Sequence, residues 1–192
     1  MGLAGRQPHY LIQPNWLSNQ WGPPHPERTP IDLHATFEFP ANDKRPGLTL
    51  HWHQDDPKEV AQIAKEHKLT AKQMKGINNL FIGEKGMLFC GYNPNSPCYL
   101  LPEKDFEGVK PTGTMFEKSP GFRQEWINAC KGSKTAPTCQ FDYSGPLTET
   151  VLLANVAYRI QGSFNWNAEK VEADNPKVSQ YLREAYRKGW EV

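Results

Sequence analysis

The chain has 192 residues, with 22 basic against 21 acidic side chains and a formal net charge of +1. That length suits one ordinary domain, and the balanced charge excludes the strongly basic surface with which proteins grip nucleic-acid phosphates. Mean hydropathy is −0.71, and no apolar run nears the roughly 20 residues of a membrane span, so neither nucleic acid nor membrane is an expected partner.

The opening residues lack the basic-then-apolar order of a secretory signal, so a cytoplasmic chain is expected. Residues 1–30 carry Pro8, Pro14, Pro23, Pro24, Pro26 and Pro30, each removing a backbone donor and restricting its predecessor. An irregular, proline-rich lead is predicted there, with Trp16 and Trp21 packing it down as an extended cover. From Ile31 to Phe39 apolar residues alternate with Asp32, His34, Thr36 and Glu38, the period of a half-buried strand. After turn residues, Leu48, Leu50 and Trp52 alternate with Thr49, His51 and His53, which predicts an antiparallel partner across a wide loop.

Asp55 or Asp56 as cap, Pro57 in a first turn and Val60, Ile63, Ala64 and His67 at helical spacing predict a charged surface helix. Leu80–Ile82 and Met87–Cys90 flank Gly83-Glu-Lys-Gly86, a hairpin signal. A helix over Phe122–Lys131 stops at Gly132, and a second over Pro146–Arg159 turns Leu147, Val151, Leu152 and Val156 to one face and ends at Gly162. Phe164 and Trp166 suggest a short strand, and Asn175-Pro176 opens a last helix with Val178, Tyr181, Leu182 and Tyr186 on its face.

Strands before helices predict an α+β domain over residues 31–192 with one open, mainly antiparallel sheet. Helices anchored by Trp126 and Leu152 are expected on one face. The other face, bearing His34, Thr36, His51 and His53, is expected to meet water or a second subunit.

Chemical motifs are sparse. No G-x-G-x-x-G, Walker loop, H-E-x-x-H or G-x-S-x-G occurs. His51-x-His53 beside His34 is the one spacing suited to a metal, because side chains two apart on a strand share a face, yet no further ligand completes the set. Asp142 with Glu149, and Glu117 with Glu125, are carboxylate pairs without a placed partner, and Glu149 reads as a favourable charge in a helix N-terminal turn. Trp52, Trp126, Trp166 and Trp190 suit a core better than sugar stacking. Cys90, Cys98, Cys130 and Cys139 form no C-x-x-C and are expected as buried free thiols.

Five strings in fixed order are more specific: Ile82-Gly-Glu-Lys-Gly-Met-Leu-Phe-Cys-Gly-Tyr92, Lys118-Ser-Pro-Gly-Phe122, Glu125-Trp-Ile-Asn-Ala-Cys-Lys-Gly132, Phe141-Asp-Tyr-Ser-Gly-Pro-Leu-Thr-Glu-Thr-Val-Leu-Leu-Ala-Asn155 and Tyr186-Arg-Lys-Gly-Trp190. Together they resemble the C-terminal domain of bacterial Gfo/Idh/MocA-type oxidoreductases, from about Thr29 to Val192. The resemblance implies an α/β domain with an open, mostly antiparallel sheet. In the family this domain forms part of a sugar or polyol site and often the oligomer interface, beside an N-terminal Rossmann domain that holds NAD(P). The family's glycine fingerprint, Glu-Lys-Pro motif and histidine-bearing helix have no counterpart here, and Met1-Gly-Leu-Ala-Gly5 resembles the segment that follows that helix. No catalytic, cofactor-binding or metal residue is therefore assigned.

The expected function is that of a substrate-binding and oligomerisation domain, inactive alone, with a homodimer through the sheet face, a separate Rossmann-domain chain as partner, and at most weak sugar binding. The alternative is a non-enzymatic self-association module. A metal hydrolase built on His34, His51 and His53 has only their spacing behind it.

Overall fold

A computed structural model describes residues 10–15, 27–28, 33–54, 57–75, 78–92, 96–110, 118–183 and 185–190. In chain order the elements are β1 (Tyr10–Asn15), β2 (Leu33–Phe39), β3 (Leu48–Gln54), α1 (Pro57–Glu66), α2 (Ala71–Met74), β4 (Asn79–Gly83), β5 (Gly86–Cys90), β6 (Cys98–Leu101), a 3-10 turn Glu103–Phe106, α3 (Phe122–Cys130), α4 (Phe141–Ile160), β7 (Phe164–Asn167), β8 (Glu172–Ala173) and a 3-10 helix Pro176–Tyr181. The architecture is mixed α+β. Two compact units form, one from Met1–Asp56 with Ser119–Val192 and one from Pro57–Lys118, which is inserted in the sequence of the first.

The first unit is built on a five-stranded sheet, ordered β3-β2-β1-β7-β8 and antiparallel at every pairing. The alternation in β2 holds in part: Leu33, Ala35 and Phe37 are buried and Glu38 is exposed, but Thr36, expected on the open face, is buried as well. Between β2 and β3, the Asn42 side chain accepts the N–H groups of Lys44 and Arg45, both at 2.9 Å, and shapes the loop. The lead segment is not wholly irregular, since β1 lies at the centre of the sheet, between β2 and β7. Its pairing with β7 ends at Ile12, so Pro14, which has no N–H to offer, sits where β1 has only β2 beside it.

The core gathers Leu33, Ala35, Phe37, Phe164 and Trp166 from the sheet with Leu153, Ala154, Ala157 and Ile160 from α4 and Val178 from the last 3-10 helix. Ala154 and Ala157, spaced one turn apart, let the helix backbone approach the sheet closely, which a Leu or Val stripe would prevent. This corrects the expected face of α4: Leu147, Val151 and Leu152 are exposed, Leu152 at 57%, so Leu152 is no anchor. The helix also starts at Phe141 rather than Pro146. Backbone bonds from Tyr143 and Ser144 to the Gln140 carbonyl close its first turn, at 3.0 and 2.9 Å, and Pro146 lies inside it. Trp126 is corrected likewise: α3 buries no side chain, and this indole is 64% exposed.

The second unit carries a separate three-stranded antiparallel sheet, β4-β5-β6. The strands expected to complete one sheet therefore form two. The hairpin signal reads correctly, with Gly83 opposite Gly86. Gly86 is required sterically: a Cβ there would lie 2.6 Å from the Leu101 carbonyl oxygen and 2.7 Å from the Phe106 ring. Phe89 and Leu101 are its buried side chains among the described residues. Helix α1 starts at Pro57 as predicted, and its proposed caps lie outside the described residues. A capping box, Thr70 with Gln73, opens α2. The last predicted helix is a 3-10 helix capped by Asn175, whose Oδ1 accepts the Lys177 N–H at 3.1 Å, and Tyr186 is exposed beyond it.

Candidate functional site

Strand register places the histidine row. His34 stands opposite His53 and Thr36 opposite His51 on the sheet face away from α4. The His34 and His53 ring centroids lie 4.1 Å apart with their planes tilted by 31°, His51 lies 5.9 Å from His34 and 6.2 Å from His53, and Thr36 Oγ1 and His51 Nδ1 are hydrogen-bonded at 3.1 Å. The face is not bare, because Thr36 is 6% exposed and His34 and His53 are half-buried. Among the described residues no three His, Cys, Asp or Glu side chains are placed to hold a metal ion, so the row lacks the convergent donors a hydrolytic zinc needs.

The carboxylates go to structural partners. Glu149 accepts the indole N–H of buried Trp166 at 2.9 Å and, well inside α4, has no helix N-terminus beside it. Asp142, exposed, is seven residues away on the same helix, about 10 Å along the axis, too far to share a proton. Glu117 lies outside the described residues. Glu125 binds both flanks of α3: it accepts the Ser119 hydroxyl on one oxygen, and the Thr138 N–H at 2.8 Å and hydroxyl at 2.7 Å on the other. These donors hold the Glu125 carboxyl below the usual carboxylate range. Of the four tryptophans considered, only Trp166 is core; Trp52, Trp126 and Trp190 are exposed, Trp190 beneath the Arg187 guanidinium at 4.2 Å.

What the unit offers its surroundings is apolar surface. On α3, Phe122 and Trp126 lie one turn apart with Ile127 beside them, and on α4 Leu147 and Val151 do the same, all exposed along with Phe141 and Leu152. Edge strand β3 adds exposed Leu48, Leu50 and Trp52. The sequence suggests burial for most of these, since helical spacing identifies an apolar stripe without saying what covers it.

The thiols depart from expectation as well. Cys98, Cys130 and Cys139 are exposed and only Cys90 is half-buried. Cys90 stands directly opposite Cys98 across β5 and β6, a pairing set by strand register.

No family model, curated protein or solved structure matches the chain. No helix among the described residues is long and apolar enough to cross a membrane.

Proposed function

We propose that this chain is the substrate-side and association domain of a Gfo/Idh/MocA-like NAD(P)-dependent sugar or polyol oxidoreductase, and that turnover requires a separate nucleotide-binding half. The observation that carries this reading is the exposed apolar side chains of α3 and the first half of α4, Phe122, Trp126, Ile127, Phe141, Leu147, Val151 and Leu152. Apolar surface of this extent on two helices is what a partner domain covers. An antiparallel sheet with its long helix on one face supports the same reading, in keeping with the order of the sequence strings. Hydride transfer needs nicotinamide, substrate carbinol and base within about 3–3.5 Å, an arrangement this domain would complete only when paired.

The test is reconstitution. The chain is mixed with an isolated Rossmann half of a Gfo/Idh/MocA enzyme, and polyol-dependent NAD(P) reduction is followed. Recovery of activity that Trp126→Ala and Leu152→Ala diminish is the expected result. A Rossmann half that gains nothing from the chain and does not bind it overturns the reading.

A second reading, self-association without catalysis, is favoured by β3. This edge strand runs seven residues, Leu48–Gln54, with neither proline nor lysine to blunt it. A second copy pairing there would join two sheets into one. Sedimentation equilibrium should then show a dimer that Leu50→Lys dissociates, whereas a monomer at high concentration removes the idea.

A further inference from the structure

We propose that Cys90 and Cys98 form a dithiol–disulfide redox site, oxidised by a small-molecule disulfide of the glutathione type. This goes beyond the association reading and does not depend on it.

The two residues are register partners at the end of β5 and the start of β6. Backbone bonds identify the kind of pair they make. The Cys90 carbonyl accepts the Asn78 N–H at 3.2 Å, on the β4 side, so it points away from β6. The next pair along, Gly91 and Pro97, carries an inter-strand bond from Gly91 N–H to the Pro97 carbonyl at 3.4 Å. Bonded and non-bonded pairs alternate in an antiparallel ladder, so Cys90 and Cys98 occupy a non-hydrogen-bonded pair, whose Cα atoms approach to about 4.5 Å. A disulfide spans about 4.4–6.8 Å between Cα atoms, and a bridge here asks little of the backbone.

Side-chain placement agrees, since residues directly opposite share a sheet face. Exposure divides the roles. Cys98 is open to solvent. Burial pushes the half-buried Cys90 thiol up, and the adjacent Cys98 adds to the effect, leaving Cys98 as the sulfur that first meets a reagent.

In the first step Cys98, having lost its proton, attacks one sulfur of the small disulfide RS–SR. That S–S bond breaks, one RS⁻ leaves and is protonated, and Cys98–S–SR remains. Cys90 then gives up its proton and attacks the Cys98 sulfur, and the second RS⁻ leaves and is protonated. Two protein thiols are oxidised, one small disulfide is reduced to two thiols, and both protons travel with the leaving groups. The product ties β5 to β6 covalently.

The experiment treats the full chain with oxidised glutathione, traps remaining thiols with an alkylating reagent, and reads intact mass and a peptide map. Two of the four thiols should escape alkylation, the mass before alkylation should lie two hydrogens below that of the reduced chain, and the linked peptides should contain Cys90 and Cys98; dithiothreitol should restore the starting mass of the unalkylated chain. Cys90→Ser should instead hold one glutathione on Cys98, because the resolving thiol is gone. Cys98→Ser, changed at an exposed position, should form no bridge. A wild-type chain that keeps both thiols free, carries glutathione on each separately, or forms its bridge through Cys130 or Cys139 overturns the proposal.

Discussion

Trp166 and Trp126 carry the same indole into opposite surroundings. Trp166 is 1% exposed and its N–H is accepted by Glu149, so Trp166→Ala removes a large buried ring and should cost about 3–5 kcal/mol in a urea titration. Glu149→Ala leaves the ring in place with a buried donor unsatisfied, at about 1–3 kcal/mol. Trp126→Ala should change stability by only about 0.5 kcal/mol, and its effect should appear in partner binding. A loss of several kcal/mol at Trp126 would return that side chain to the core. Gly86 is the other residue where geometry decides the outcome. Its forbidden Cβ meets backbone as well as a ring, so Gly86→Ala should destabilise the second unit by about 1–3 kcal/mol, read as earlier loss of amide protection in β5 and β6.

The same contrast recurs among the elements, several of which hang on single carboxylates. Asp174 accepts the Asn165 N–H at 2.8 Å and its side-chain N–H at 2.6 Å, joining β8 to β7, and these bonds hold its carboxyl below the usual range. Glu125 does the same for α3. A depressed folded pKa contributes stability that is present above the ordinary carboxylate pKa and lost as pH falls through the folded value. Both elements should therefore loosen below about pH 4, and amide exchange should show it first at β7–β8 and around α3. Asp174→Asn and Glu125→Gln should flatten that acid response; an unchanged profile in both would mean the bonds do not bias folding. Strand positions were legible in the sequence because period two and turn residues are local, as in β2, β3 and the Gly83–Gly86 hairpin. The buried face of α4 was not, because Val151, Leu152, Leu153 and Ala154 form a continuous apolar run and only the sheet's demand for close approach selects the alanines. Strand β1 hid behind its proline, tolerated because β7 is too short to need a donor there. The histidine row was legible as a shared face, while the Cys90–Cys98 pair needed a register that no short-range pattern supplies.

At the scale of the whole molecule, two separate antiparallel sheets bear on cofactor chemistry. A dinucleotide site of the Rossmann kind needs parallel strands, a glycine turn, and the N-terminus of the helix that follows, so that amides and dipole meet the pyrophosphate. Every strand pairing among the described residues is antiparallel. Gly83 and Gly86 face each other within a hairpin that returns directly into a strand. The isolated chain should therefore give no measurable heat with NAD⁺ or NADP⁺ in isothermal titration and no dehydrogenase activity with polyols. Under the proposed function, adding the Rossmann half should give nucleotide binding no tighter than that half shows alone, while polyol binding should exceed what either half shows by itself. Micromolar NAD⁺ binding by the 192-residue chain alone would mean that a nucleotide site exists in it after all, and the division of labour proposed here would have to be given up.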